Sequence, residues 1–283
     1  MALYHKYLSK KVNQFLTMQT KENNRTQFNL FEGDTFTTVI AEPKAGKTSL
    51  AVSLTLDAIF NGNQRVLFVN GKGGNYRELL WRVISILEDT SLKDLFTGKE
   101  NIGRTPYFEQ FNELANRQQF FFTHGPENDL PYFLKEIKRF VKEQAIDCVL
   151  FDNFHHVKYW FEEEWVVQAL FELGRKLQIP TWVFLPQSGQ KTSHEAALYT
   201  SLSRWSDWVI QLHRPPLATK AHLHLIKHPY DEIPVKIPLQ FSAKTAHFVD
   251  VEMIEQHWVN EIRIREETAK IEAYKHKKES FSE

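Results

Sequence analysis

The sequence has little of the material from which secreted, membrane and polybasic proteins are built. Cys148 is the one cysteine among 283 residues, so the chain supports neither an intrachain disulfide nor a cysteine-based zinc site. No stretch reaches the roughly 18 apolar residues of a membrane helix, and the first 16 residues lack the apolar core of a secretion signal. We therefore expect a reducing, cytoplasmic environment and no membrane partner.

Neither sign of charge is in excess. Lys plus Arg and Asp plus Glu both number 35, so the formal net charge is zero. This balance argues against a protein that coats nucleic acid by bulk electrostatics, although a local basic groove is compatible with it. Glycine and proline are also scarce, with 11 residues of each, and no low-complexity linker is evident. What is present is an ordinary globular composition, 42% hydrophobic and 25% charged.

Short apolar segments alternate with amphipathic ones along most of the chain. The pattern predicts strands at residues 35–40, 65–70, 119–124, 148–152, 181–185 and 207–213, and helices at 50–60, 75–88, 130–144 and 162–177. Residues 89–118 are polar and predicted to be irregular. This alternation is typical of an α/β fold with a mainly parallel sheet flanked by helices. Residues 221–228 and 236–241 predict a β-hairpin at the sheet edge.

A phosphate-binding loop is the strongest chemical signal. Residues 41–48, AEPKAGKT, lie between the first predicted strand and the first predicted helix. Lys47 has the position of the lysine that reaches β- and γ-phosphates, and Thr48 that of the hydroxyl that binds Mg²⁺. Backbone N–H groups of the loop and the helix N-terminus add to the site. The residues predicted to bind a nucleoside triphosphate are Pro43, Lys44, Ala45, Gly46, Lys47, Thr48 and Ser49. The pattern departs from the strict motif at its first position, where Ala41 replaces glycine.

Three further residues are candidates for the same site because each follows or ends a predicted strand. Asp152 ends an apolar strand and could hold Mg²⁺ through water, or it could simply end the strand. Gln187 could sense the γ-phosphate, although many loops carry a glutamine. Arg214 could stack on adenine, or it could be a surface arginine before two prolines.

Other residues have a functional and a structural interpretation side by side. His222, His224 and His228 share one face of a predicted strand, which suits a metal ion. The same period of two describes an exposed edge strand with polar residues outward, and we favour this second interpretation. Trp205, next to Arg204, could stack on a base of single-stranded DNA, but a core or interface position is the commoner role for such a tryptophan.

Residues 42–69 resemble the RecA-like motor domain of hexameric replicative helicases of the DnaB and Twinkle type, and related plasmid RepA ATPases share the PKAGKT loop. The resemblance extends from residue 33 to residue 248, through the strands that end at Asp152 and before Gln187. It implies a RecA-like P-loop fold, ATP and Mg²⁺ as cofactors, and catalytic roles for Lys47, Asp152 and Gln187. It also implies action in DNA replication, repair or mobile-element maintenance, with single-stranded DNA and a homo-oligomer or protein partner. The expected organisation is a helical arm at 1–30, the RecA-like domain at 31–250 and a charged helix at 251–283.

Two departures from that family concern hydrolysis. Lys72 stands where the family has its catalytic glutamate, and Pro229 replaces the finger arginine in Lys227-His228-Pro229. An arginine finger contributes about 10³- to 10⁵-fold in rate in nucleotide hydrolases. The sequence therefore leaves two functions open. One is an ATPase with weak or DNA- or partner-dependent hydrolysis. The other is a non-hydrolysing, nucleotide-dependent scaffold that recruits a protein partner.

Overall fold

The fold is taken from a computed structural model of the chain. It describes residues 35–71, 76–97, 114, 117–125, 129–152, 163–187, 202, 204–227 and 235–249. The predicted terminal helices, at 4–20 and 252–280, lie outside these ranges. Within them, no helix is long and apolar enough to cross a membrane.

A nine-stranded sheet forms the centre of the described structure, in the order β3-β2-β4-β5-β1-β6-β7-β8-β9. The strands are β1 (Phe36–Ala41), β2 (Val66–Asn70), β3 (Phe120–His124), β4 (Cys148–Asp152), β5 (Thr181–Pro186), β6 (Trp208–His213), β7 (Lys220–Lys227), β8 (Val235–Ser242) and β9 (His247–Phe248). The first six strands in this order pair in parallel, and the last three add on antiparallel. The predicted α/β class with a mainly parallel sheet is thereby confirmed.

Helices cover both faces of this sheet. They are α1 (Lys47–Phe60), α2 (Tyr76–Leu87), α3 (Leu92–Thr97), α4 (Leu130–Glu143) and α5 (Glu163–Leu177). One buried cluster joins Val39 of β1 to α1, α2 and α3, and the other joins Ile40 of β1 to α4 and α5. The central strands are apolar at nearly every position because both of their faces are covered.

The irregular structure predicted for residues 89–118 is wrong at α3. This helix spans only six residues, so its stability depends on tertiary contacts rather than on its own hydrogen bonds. Leu95 is fully buried, the Leu92 N–H donates to the Lys244 carbonyl at 2.9 Å, and Phe96 packs edge-on against Trp81 with ring centroids 4.8 Å apart. Contacts with distant segments hold a helix that the local pattern does not predict.

The predicted hairpin is present, but β9 adds a strand beyond it. β7 pairs with β6 on one side and β8 on the other, so the edge-strand interpretation of His222 and His224 is wrong: β7 is interior. In the final turn, Phe248 of β9 folds back over α1. Its N–H donates to Ser53 Oγ at 3.0 Å, and its ring centroid lies 5.1 Å from that of Phe241.

Phe248 should therefore contribute far more to stability than a surface phenylalanine. We expect Phe248→Ala to lower the free energy of unfolding by about 3–5 kcal/mol, because the residue is 1% exposed and its truncation leaves a cavity. Phe60→Ala, at a residue of α1 that is 46% exposed, should cost about 1 kcal/mol. Urea unfolding of both variants measures the difference, and equal costs would show that β9 is not packed on α1 as described.

Candidate functional site

The predicted site residues come together at the carboxyl edge of the parallel strands. Ala41 at the end of β1 lies beside Pro186 at the end of β5, and Asp152 at the end of β4 lies beside Asn70. In open α/β sheets, ligands bind at this edge, at the point where the order of the strands reverses. Here β1 lies between β5 and β6, so the loop after β1 occupies the centre of that edge.

The loop 42–46 turns sharply into α1. The Ala45 N–H donates to the Glu42 carbonyl at 3.2 Å, and Leu50 begins the helical bonds by donating to the Gly46 carbonyl at 2.8 Å. Gly46 has a φ of 107°, and a Cβ at that position would lie 3.4 Å from the ring of Phe248. Glycine is therefore favoured both by the backbone and by the close approach. The N–H groups of the first helical turn have no acceptor within the helix itself, which favours an anion in front of them.

Lys47 is buried at the base of this loop. Its side chain donates from Nζ to the Ala41 carbonyl at 2.8 Å and to the Glu42 carbonyl at 3.1 Å. Burial lowers the pKa of Lys47, while the charge of Asp152 acts in the opposite direction. The two charges therefore interact across the floor of the site, and Asp152 itself is only 1% exposed.

Gln187 follows β5, the strand that lies between β4 and β1. Its N–H donates to the Ala41 carbonyl at 2.7 Å, which ties it to the start of the loop. Its side-chain Oε1 accepts from Gln211 Nε2 of β6 at 2.9 Å. The glutamine is thus held beside the loop by the two strands that flank it.

Arg214, which follows β6, clamps the loop. Its guanidinium donates to three carbonyls: Nε to Ala45 at 2.9 Å, Nη2 to Lys44 at 2.8 Å and Nη1 to Ala218 at 2.9 Å. The guanidinium also packs on Phe241, with Cζ 4.1 Å from the ring centroid, and burial lowers its pKa. Arg214 is therefore part of the framework of the loop, a role that the sequence did not indicate, and its adenine contact stays a prediction.

An open cleft of about 420 Å³ lies over the loop, within the usual size of small-molecule sites. Most of the predicted binding residues line it: Pro43, Lys44, Gly46, Lys47, Thr48, Ser49 and Arg214. Ala45 is buried beneath it, and Asp152 and Gln187 are not among its lining residues. Four lining residues were missed, namely Arg82, Pro186, Phe241 and Ala246. No sequence signal marks them, because α2 and the C-terminal strands meet the loop only through the fold.

The donor set at the cleft suits a magnesium nucleotide. An ammonium from Lys47, a hydroxyl from Thr48 and the carboxylate of Asp152 are provided by the N-terminus of α1 and the end of β4. Mg²⁺ prefers such oxygen ligands and retains several waters, and phosphates prefer the ammonium and the helix N-terminus. The residues present therefore fit ATP and Mg²⁺ chemically.

The segments that carry the two hydrolytic departures are described only at their margin. Lys72 and Pro229 lie outside the described residues. Lys227, the basic residue of the finger segment that the sequence retains, is described, and its Nζ donates to the Ser206 carbonyl of its own chain at 2.6 Å.

The histidine face of the sheet does not have the geometry of a metal site. Among the described residues, no group of three or more His, Cys, Asp or Glu side chains could hold a metal ion. His222 instead packs against His213, with ring centroids 4.8 Å apart, and His228 lies outside the described ranges. Trp205 packs against the second core cluster beside Phe171, at 5.6 Å between ring centroids, which favours its structural role over base stacking.

Comparison with known proteins supports the fold and not a specific family. Neither a protein-family model nor a curated protein matches the sequence. Among solved structures, the chain is similar to the ATPase domain of a DnaB-family helicase, with a TM-score of 0.63. The match covers 85% of this chain and 97% of that one at 12% sequence identity. The expected RecA-like ATPase fold is therefore confirmed at the level of architecture.

Arg214→Lys should test the clamp. A lysine keeps the positive charge but cannot reach three carbonyls from a planar fork, so we expect the nucleotide-free protein to lose about 2 kcal/mol in its free energy of unfolding. Arg139→Lys, at an exposed arginine of α4 paired with Glu136, should change it by less than about 0.5 kcal/mol. Equal urea midpoints for the two variants would contradict the clamp.

The histidine face should make stability dependent on pH. Burial lowers the pKa of His222 and of His224, and for His222 the neighbouring charges of His213 and Lys236 add to the effect. As the pH falls through about 6.5, the unfolded chain takes up protons that the folded chain resists, so stability should fall between about pH 7 and 5.5. The double variant His222→Gln/His224→Gln should reduce this fall in urea unfolding at the two pH values. An unchanged slope would refute the assignment.

Proposed function

We propose that this chain is an ATP-binding RecA-like P-loop protein. Its nucleotide would bind with Mg²⁺ in the cleft over residues 41–48. The observation that carries the proposal is the buried Lys47 ammonium, which is held by the Ala41 and Glu42 carbonyls and interacts with the charge of Asp152. A buried ammonium at the floor of a turn that ends in a helix N-terminus is well suited to a polyphosphate.

Each predicted residue has a role in this proposal. Lys47 would exchange its carbonyl partners for β- and γ-phosphate oxygens, and Thr48 and Asp152 would hold Mg²⁺, Asp152 through water. Mg²⁺ supplies neutralisation of phosphate charge when bound. Gln187, fixed beside the loop by the Ala41 carbonyl and Gln211, would respond to the γ-phosphate and transmit the response to β6.

The proposed context is DNA replication, repair or mobile-element maintenance, with ATP hydrolysis that is weak or dependent on DNA or a partner. The support is the RecA-like architecture together with the sequence resemblance to replicative helicases. Single-stranded DNA and a homo-oligomer or protein partner are the expected interactors, since that resemblance implies a motor that acts on a strand and hydrolyses between subunits.

A second candidate function is a non-hydrolysing, nucleotide-dependent scaffold. The observation in its favour is Lys227, whose ammonium is engaged by Ser206 of its own chain rather than being available to a neighbouring site. Lys72 and Pro229 favour it as well, because each replaces a group used in hydrolysis. ATP would then stabilise one conformation that a partner recognises.

Nucleotide binding should depend on Lys47. With Mg²⁺-ATP at about 1,000 times its dissociation constant, we expect the wild type to gain about 4 kcal/mol in its free energy of unfolding. Lys47→Ala should weaken binding by about 100-fold because it removes charge-assisted hydrogen bonds to phosphate. Calorimetry and thermal melting measure both effects, and Lys142→Ala on α4 is the matched control. A wild type that shows no shift would contradict the proposal.

Hydrolysis then separates the two candidate functions. ATP turnover by wild type above the Lys47→Ala blank, increased by single-stranded DNA, supports the ATPase. Intact Mg²⁺-ATP binding with turnover equal to the blank, with and without DNA, supports the scaffold.

A further inference from the structure

Arg82 brings a second cation to the cleft, from a helix that the phosphate loop does not include. It lies in the middle of α2, and its side chain is 18% exposed. Nη1 donates to Ser49 Oγ at 3.1 Å, across the gap between α2 and α1. The same arginine lines the cleft together with Lys47 and Thr48.

The contacts of Arg82 within the chain do not account for its burial. Nη2 donates to Glu78 Oε1 at 3.0 Å, but this i,i+4 pair is exposed at Glu78, and such pairs contribute little. Nε is buried and has no acceptor among the described residues. A largely buried guanidinium with one weak ion pair is costly, and an anion in the cleft would offset that cost.

We propose that Arg82 is a ligand of the α- and β-phosphates of the bound nucleotide and that Glu78 competes with those phosphates for it. This inference deepens the proposed function and rests on it. The partner atom sets the position: Ser49 is the third residue of α1, and the loop and helix N–H groups of such sites cradle the α- and β-phosphates, whereas the lysine reaches the β- and γ-phosphates. The hydrogen bond of Arg82 to α1 goes to Ser49, so the guanidinium lies on the α- and β-phosphate side.

This position distinguishes Arg82 from a finger or a γ-phosphate sensor. A ligand of the α- and β-phosphates strengthens ATP and ADP binding equally, so it increases affinity without marking the nucleotide state. It therefore does not replace the finger arginine that the sequence lacks. It gives the site a positive charge from within the same chain.

The alternative is a structural one, in which Arg82 only ties α2 to α1 through Ser49. The two roles differ in their response to Glu78. If Arg82 binds phosphate, removing the Glu78 charge releases the arginine toward the nucleotide. If Arg82 is only a tie, Glu78 helps to orient it, and removing its charge is harmful or has no effect on affinity.

The test is calorimetric titration of Mg²⁺-ATP and Mg²⁺-ADP into the full chain and its variants, with melting of the nucleotide-free proteins alongside. We expect Arg82→Gln to weaken both nucleotides by the same factor, about tenfold, and Arg82→Lys to weaken both by less. Glu78→Gln should tighten both by about twofold. Arg139→Gln, whose side chain is exposed on α4, is the control and should leave both affinities unchanged.

Three outcomes would overturn the assignment. An unchanged affinity in Arg82→Gln shows that the arginine does not touch the nucleotide, and a loss confined to ATP makes it a γ-phosphate ligand. Weaker binding in both Arg82→Gln and Glu78→Gln, in proportion to lower melting temperatures without nucleotide, makes it a structural tie. A wild type that binds neither nucleotide is a separate result, because it overturns the proposed function itself.

Discussion

The loop between β1 and α1 keeps its shape because residues from the far end of the domain close on it. Gly46 has a left-handed backbone, and the Phe248 ring lies within 3.4 Å of the place where a Cβ at position 46 would be. Arg214 occupies the Lys44 and Ala45 carbonyls with its guanidinium. With those carbonyls bonded, the N–H groups of the turn and of the helix N-terminus are left to an anion, which gives the loop its preference for phosphate.

The positive charges around the cleft are held in different ways, and this determines which of them can move. Arg214 makes three hydrogen bonds and packs on Phe241, so displacing it would disrupt several contacts at once. Lys47 is held by two carbonyls and Arg82 by one hydroxyl and one exposed carboxylate. A phosphate can replace those acceptors at little cost, because it offers charged oxygens in exchange for neutral or solvated ones. The framework cation and the exchangeable cations are therefore different residues.

The central strands and the phosphate loop could be predicted from sequence because their information is local. An apolar run such as residues 148–152 is stable only when both of its faces are covered, and GKT between a strand and a helix rarely serves anything but phosphate binding. Helix α3, strand β9 and the cleft residues Arg82 and Phe241 could not be predicted, because each depends on contacts between segments that are far apart in the chain. His222 shows the limit most clearly: alternation gave the polar face of β7, but the pairing on both sides of that strand depends on where the fold places β6 and β8.

Binding and hydrolysis make different demands on this site. Binding needs complementary charge in the ground state, which Lys47 and Arg82 supply from within one chain. Hydrolysis also needs groups that act only in the transition state, since interactions equal in both states do not increase the rate of the chemical step. The sequence has Lys72 where a carboxylate is expected, which puts a positive charge in place of a base, and Pro229 removes an arginine that would act on a neighbouring subunit. Both changes favour tight binding over turnover. Arginine fingers are supplied in trans in many nucleotide hydrolases, so the rate of this protein should depend on what its partner contributes to the open side of the cleft.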